Sequence, residues 1–218
     1  MINVLKTLII IAGLAAFALP VQAYEKGDWI FRAGVGVVDP ESTSFSDSDL
    51  DLALKIDSGT SLTLTGAYFL SPKVSFEVLA AWPFEHDINL ASVVAPSVPV
   101  KIGSVKHLPP TFSFQYHFMP EATFRPYVGL GVNYTTFSSE KLDQNVFPGA
   151  SLSVDDSWGV AAQLAADIRL SDQWLLNVDL RYISIESDAT ISDGNNIPLV
   201  LPLDINPVVY SINIGYTF

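Results

Sequence analysis

Residues 124–137, FRPYVGLGVNYTTF, constrain the fold more than any other stretch of this 218-residue chain. The even positions from Phe124 to Tyr134 are apolar or aromatic, while the odd positions are small, polar or charged. A period of two over this length predicts a long β-strand and excludes a helix. Because aromatic residues stand at both ends of the apolar face, the pattern indicates a transmembrane strand with lipid on one side and a narrow polar lumen on the other.

The same alternation recurs in seven further segments of the chain. The eight predicted strands are residues 28–38, 61–70, 74–84, 105–118, 124–137, 158–169, 174–182 and 208–218. Their connections alternate between long and short, as is typical of a barrel whose two ends face different compartments. We therefore predict an all-β fold, an eight-stranded antiparallel transmembrane up-and-down β-barrel with long extracellular loops. Pro109 and Pro110 remove two ladder donors, which predicts a bulge or a strand end there.

The first 23 residues have the pattern of a cleaved secretory signal peptide. Lys6 supplies the basic region, residues 8–19 the apolar run, and residues 21–23 the small-residue cleavage site. The apolar run is too short to favour a membrane anchor. The expected mature chain, residues 24–218, forms one domain in the bacterial outer membrane, with both of its termini in the periplasm.

Composition narrows the class further. The chain has no cysteine, so no disulfide framework or thiolate chemistry is expected. The formal net charge is −12, and loss of Lys6 with the signal peptide makes it −13, which argues against nucleic acid as a partner. Mean hydropathy is +0.34, yet no apolar run after residue 23 approaches the ~20 residues of a membrane helix. A closed barrel satisfies these conditions.

Aromatic residues at the strand ends predict two membrane girdles. With the N-terminus in the periplasm, Trp29 and Trp174 fall at the periplasmic rim, and Trp82 and Trp158 fall at the outer rim. The terminal Phe218 joins the periplasmic girdle. A soluble core has no physical reason to distribute tryptophan in this way.

The lumen of an eight-stranded barrel is just wide enough for its own side chains. Charged residues at inward positions predict a satisfied polar network rather than an open porin or an ion path. The members of this predicted network are Arg32, Glu77, Arg125, Asp167, Arg169 and Asp179.

Several segments resemble the OmpW family of bacterial outer-membrane proteins: residues 124–137, KHLPPTF at 106–112, DSWGVAAQ at 156–163 and the closing GYTF. The resemblance covers essentially the whole mature chain and implies a hydrophobic channel that opens outside the cell and leads toward the barrel wall. Small hydrophobic ligands would enter there and leave sideways, bypassing the lipopolysaccharide leaflet. Phe218 is similar to the signal recognised by the outer-membrane assembly machinery. The implied partners are thus this machinery, outer-membrane lipid, lipopolysaccharide and a small hydrophobic ligand.

Two of the long connections are unusually apolar, and an exposed apolar patch of this kind is typical of a binding surface. The predicted channel mouth comprises Leu79, Ala81, Val93, Val94, Val98, Val100, Ile102, Leu199, Leu201 and Arg181. Leu79 is expected at an apolar floor, whereas Arg181 departs from that pattern and would suit a more polar ligand. An equally weighted interpretation is that these loops cap one another or lengthen the barrel wall.

Other functions are less well supported by the sequence. His86 and His107 are expected to be surface residues near the outer rim, and no nucleophile motif surrounds them, so no enzyme is predicted. The acidic stretch from Asp39 to Asp51 lacks the glycine and glutamate placement of a calcium loop, so no metal or cofactor is predicted. The alternative that stays open is a structural or surface-interaction barrel without transport activity.

Overall fold

The computed structural model of the protein describes residues 23–40, 45–47, 52–91, 99–193 and 198–218. These residues contain the strands β1 Trp29–Asp39, β2 Phe45–Asp47, β3 Leu52–Ile56, β4 Gly59–Ser71, β5 Val74–Ala81, β6 Phe84–Ala91, β7 Val100–Leu108, β8 Thr111–His117, β9 Phe124–Leu142, β10 Ser151–Val154, β11 Ser157–Arg169, β12 Trp174–Ile183, β13 Glu186–Ser192, β14 Leu199–Asp204 and β15 Val208–Thr217. Among the same residues, no helix is long and apolar enough to cross a membrane. The predicted signal peptide lies almost entirely outside the described residues.

Eight of the strands form a closed ring. Their order is β11, β12, β15, β1, β4, β5, β8 and β9, and each strand is antiparallel to its neighbours. The ring closes between β9 and β11, which pair from Phe124↔Ile168 to Thr135↔Ser157. This closure leaves no free edge in the ring. The predicted eight-stranded antiparallel barrel is therefore confirmed.

Exposure alternates along the ring strands as the sequence pattern predicts. On β9 the outward Leu130 is 72% exposed, whereas the inward Asn133 is fully buried. Outward positions are apolar on all eight strands, and inward positions are mostly polar or small. A soluble β-protein has the reverse arrangement, since its apolar face is the one that is buried. The exterior of this barrel is suited to lipid.

The two ends of the barrel differ in their connections. We call the end with the short links β4–β5, β8–β9 and β11–β12 the turn end, and the opposite end the loop end. Trp29, Trp174 and Phe218 lie at the turn end, and Trp82 and Trp158 lie at the loop end, all with exposed side chains. Along β11 the two levels are separated by roughly 30 Å, at ~3.3 Å per residue and a ~40° tilt.

The long connections are not irregular loops, which corrects the expected boundaries. β2, β3, β6 and β7 continue the sheet beyond the upper half of β9, and β10, β13 and β14 form a second, three-stranded sheet. The predicted strand 74–84 ends at Ala81 because Pro83 cannot donate to a ladder. The predicted strand 105–118 is divided into β7 and β8 at Pro109 and Pro110, as that proline pair indicates. These strands lengthen the barrel wall beyond the aromatic girdle, as one interpretation of the apolar loops predicted.

Candidate functional site

An apolar pocket, which we call the vestibule, lies inside the loop-end extension. It is lined by Leu54, Ile56, Ile88, Ile102, Val105, Phe137, Leu142, Leu152, Val154, Ala189, Ile191, Leu201, Leu203 and Ile205. Its cavity volume is about 30 Å³. This is far below the volume of a preformed small-molecule site, so the vestibule is a narrow apolar space that must widen to admit a ligand. A slim apolar molecule is the ligand that such walls favour.

The local sequences explain why these side chains converge. In one sheet, Ile88 on β6 and Ile102 on β7 point inward. In the other sheet, Leu201 and Leu203 on β14, which pairs with β13, also point inward. The two sheets of the extension thus turn apolar faces toward each other, and burial against water holds them together at about 25 cal/mol per Å². Phe84 and the buried Val209 pack beneath them in the same cluster. The vestibule is therefore the centre of an apolar core that is not completely filled.

The predicted mouth residues are divided among several environments. Ile102 and Leu201 line the vestibule, and Ala81 packs against the same apolar cluster. Val100 and Leu199 are instead more than half exposed, because they begin β7 and β14 at the outermost level of the wall. The remaining predicted loop residues lie outside the described part of the chain: Val93, Val94 and Val98.

Leu79 does not form the expected apolar floor. It is buried beside a separate small cavity whose lining residues are mostly of polar type, among them Thr65, Glu77, Asp179 and Arg181. The reason is its depth in the barrel, since Leu79 is at the last level where β5 pairs with β8 and the vestibule begins above that level. The floor beneath the vestibule is polar.

A charged network fills the lumen below the vestibule. Arg32 donates to Asp167 over 2.7 Å and 3.1 Å, and it reaches Glu77 at 3.3 Å. Arg181 contacts the other Glu77 oxygen at 2.8 Å and Asp179 at 3.5 Å. These side chains come from β1, β5, β11 and β12 and are all at least nine-tenths buried. Buried charges of both signs are thus paired across the lumen, as their cost of desolvation requires.

Glutamine side chains extend this network across the rest of the lumen. Gln115 donates to Gln163 over 3.0 Å, and Gln163 in turn donates to Asp179. Gly129 makes room for them, because a Cβ there would lie 2.5 Å from the side-chain oxygen of Gln163. We call the five charged residues and the two glutamines the polar plug. It closes the lumen beneath the vestibule with hydrogen-bonded side chains.

The two other predicted network residues lie near the turn end. The guanidinium of Arg125 lies 4.1 Å over the ring of Tyr24, and its Nε donates to a turn carbonyl over 2.8 Å. Arg169 forms an ion pair with Asp172 in the β11–β12 turn. Tyr24 itself donates to Asp167 over 2.9 Å. Arg125 is also the ladder partner of Asp167, so the charged groups extend from the lumen to the turn end, an arrangement that residue type and alternation could not reveal.

The barrel wall is interrupted at the base of the vestibule. The β5–β8 ladder stops at Leu79↔Thr111, and the ladder between β6 and β7 begins only at Phe84. No ladder pair joins residues 80–83 to residues 109–110, all of which are described. We call this unpaired stretch of wall the ladder gap.

Three prolines explain the ladder gap. Pro83, Pro109 and Pro110 have no backbone N–H and cannot contribute a donor. The neighbouring backbone groups form hydrogen bonds away from the gap. The N–H of Trp82 donates to β4, and the carbonyl oxygen of Pro110 accepts from β9. The wall therefore lacks backbone hydrogen bonds between its two halves at the level where the vestibule meets the barrel.

His86 and His107 are buried above the ladder gap, which corrects their expected surface position. They are 2% and 4% exposed, and their rings stack with centroids 4.8 Å apart. The rings of Phe84 and Phe137 flank His107 at 5.5 Å and 6.1 Å. The signal that could have located them is the period of two through Phe84, His86 and Ile88, which places the histidine on the apolar inward row.

Burial keeps both imidazoles neutral. Desolvation lowers the pKa of His86, and desolvation together with the neighbouring His86 lowers the pKa of His107 to about 3. In the unfolded chain a histidine binds its proton near pH 6.5, whereas the folded protein keeps His107 neutral down to about pH 3. The folded state therefore has its full stability above pH 6.5 and loses stability as the pH falls toward 3. We expect acid to remove on the order of 4 kcal/mol of unfolding free energy through His107.

This expectation can be checked by urea unfolding in detergent micelles at pH 7 and at pH 4. His107→Phe, which keeps a ring between the two phenylalanines, should lose less stability on acidification than the unsubstituted protein. Equal acid sensitivity of the two proteins would contradict the assignment.

Known proteins resemble this chain along nearly all of its length. The model of the OmpW family matches residues 25–218. Outer membrane protein W of Vibrio cholerae serotype O1 is 43% identical over 215 residues, which cover 95% of this chain and 98% of that protein. Outer membrane protein W of Escherichia coli strain K12 is 33% identical over 199 residues, with 90% and 91% covered. The crystal structure of OprG from Pseudomonas aeruginosa has a TM-score of 0.81 at 36% identity, covering 91% of this chain and 99% of that one.

Proposed function

The chain belongs to the OmpW family of outer-membrane barrels, and we propose that it conducts small hydrophobic molecules from the cell exterior into the outer membrane. In this proposal the loop end faces the exterior, and the turn end, with both termini, faces the periplasm. The ligand enters the vestibule and leaves sideways through the ladder gap. The observation that carries the proposal is an apolar vestibule closed below by the polar plug and bordered by unpaired wall.

The polar plug favours a sideways exit over passage through the lumen. A hydrocarbon moving straight down would have to separate ion pairs such as Arg32–Asp167 and Arg181–Glu77. Separating a buried pair costs about 3–5 kcal/mol, because each charge is left without compensation. The lumen offers an apolar ligand no hydrogen bonds in return.

The position of the ladder gap supports lateral release. Trp82, at the edge of the gap, is 75% exposed on the outer surface and belongs to the loop-end girdle. A molecule leaving between β5 and β8 would reach the lipid just below this level. No backbone hydrogen bond has to break there, since the prolines already removed the donors.

One observation favours the alternative of a surface-interaction barrel. Val100, Leu199 and Val200 are each more than half exposed at the outermost level of the wall. Exposed apolar side chains at an outer rim are able to contact a partner or a surface. This function would involve the rim and would not require the vestibule.

Uptake by whole cells with an intact lipopolysaccharide leaflet tests the proposal. Cells that lack any OmpW-type protein are compared with the same cells carrying this one, for n-octane and for a charged sugar phosphate. We expect faster octane entry and unchanged entry of the sugar phosphate. Equal octane entry in the two strains would contradict transport and leave the surface-interaction barrel.

A further inference from the structure

Among the described residues of the apolar extension, two buried nitrogen atoms have no hydrogen-bond partner. They are Nε2 of His86 and Nε2 of His107. A buried polar group without a partner carries its whole desolvation penalty, so each such group calls for an explanation. An apolar side chain of similar size would pack equally well between Phe84 and Phe137, and it would not carry this penalty.

The role of the His86 nitrogen follows from its ring partner. Nδ1 of His86 lies 2.6 Å from the backbone oxygen of Asp57. A carbonyl oxygen only accepts, so Nδ1 carries the proton and donates it. In the neutral ring, Nε2 is then an unprotonated acceptor. It calls for a partner that donates an O–H or N–H.

Gly59 packs directly against the ring edge that bears this acceptor. A Cβ at Gly59 would lie 2.7 Å from Cε1 and 3.0 Å from Nε2 of His86. Any residue other than glycine would therefore press on that ring edge. A partner can reach Nε2 only because nothing larger than glycine lies beside it.

The pair lies between the vestibule and the ladder gap. In the β6–β7 ladder, His86 is paired with Val105, which lines the vestibule. His107 is paired with Phe84, the residue that follows Pro83 of the gap. Asp87, the carboxylate next to His86 in sequence, is partly exposed and pairs with Lys101 at 2.6 Å. A molecule moving from the vestibule to the gap would pass neutral nitrogens and aromatic rings.

From this arrangement we infer that His86 and His107 form a hydrogen-bonding station for a hydroxyl group. The ligands it favours are small apolar molecules with one hydroxyl, such as a medium-chain alcohol or a phenol, over hydrocarbons of the same size. The hydroxyl donates to Nε2 of His86, and Nε2 of His107 lies in the neighbouring ring of the stack. This inference rests on the proposed function and assigns a ligand class to it.

Competition between matched ligands in the whole-cell assay tests the station. Uptake of 1-octanol and n-octane is measured for the unsubstituted protein and for His86→Leu, His107→Phe and Gly59→Ala. Loss of one neutral hydrogen bond should lower the ratio of octanol uptake to octane uptake about tenfold. Gly59→Ala keeps both histidines and should lower the ratio by obstructing Nε2. His86→Gln, which retains an acceptor, should recover part of the ratio.

A second measurement does not depend on the variants folding. In the full-length protein in micelles with nitrogen-15 histidine, 1-octanol should shift the Nε2 resonance of His86, and n-octane should not. An unchanged uptake ratio in the variants, or no octanol-specific shift, would overturn the station. Failure of the proposed function is distinguishable, since neither ligand would then enter faster than in cells lacking the protein.

Discussion

Arg32→Ala is expected to lower the free energy of unfolding by roughly 3–5 kcal/mol, the largest stability effect expected of a single substitution in the lumen. Arg32 forms an ion pair with Asp167, and it shares Glu77 with Arg181. Its removal would leave the buried carboxylate of Asp167 without this ion pair. Because Arg181 would still compensate the charge of Glu77, the loss of unfolding free energy should not exceed this range.

The matched control is a charge of the same sign in an exposed pair. Lys101 lies 2.6 Å from Asp87, and both side chains are substantially exposed. Lys101→Ala should therefore change stability by no more than about 1 kcal/mol. Urea unfolding in detergent micelles measures both variants. Similar small losses for Arg32→Ala and Lys101→Ala would contradict the account of the polar plug.

The largest functional effect is expected from a charge placed in the vestibule. Ile102→Lys brings an ammonium group into a pocket whose lining is wholly apolar. The ammonium would hold water that an apolar ligand must displace, at a cost of several kcal/mol. We expect octane uptake by whole cells to fall at least about tenfold.

Val100→Lys is the matched control for this substitution. Val100 is on the same strand, two residues from Ile102, but its side chain is exposed at the rim. It should leave octane uptake near that of the unsubstituted protein. Both variants must show the heat-dependent gel mobility of a folded barrel. If Ile102→Lys is folded and still takes up octane normally, the vestibule is not the route.

Much of the barrel could be predicted because a transmembrane strand imposes its period on the sequence. Residues 124–137 gave the correct faces of β9, and Pro109 with Pro110 correctly predicted the division between β7 and β8. The strands of the extension were not predicted. Their apolar residues face an interior shared by two sheets, and only the pairing of those sheets reveals which side is inside.

The site was less predictable than the fold because it depends on depth and register. Arg125 and Arg169 have the same alternation as Arg32, yet they lie near the turn end. His86 was expected at the surface because the predicted strand ended at residue 84. The period of two through Phe84, His86 and Ile88 is informative only when β6 is known to be a strand. Leu79 was assigned to an apolar floor because nothing in its sequence context reveals the polar cavity beside it.

Closing the ladder gap with a reversible cross-link tests the central claim most directly. The chain has no native cysteine, so Ala81→Cys with Pro109→Cys can be joined across the gap by a short, cleavable thiol reagent. The control joins Val74→Cys to Tyr116→Cys, whose backbones are already paired. Octane uptake should fall at least about tenfold when the gap is joined, recover on reduction, and stay unchanged in the control. Undiminished uptake through a joined gap would contradict lateral exit at this site.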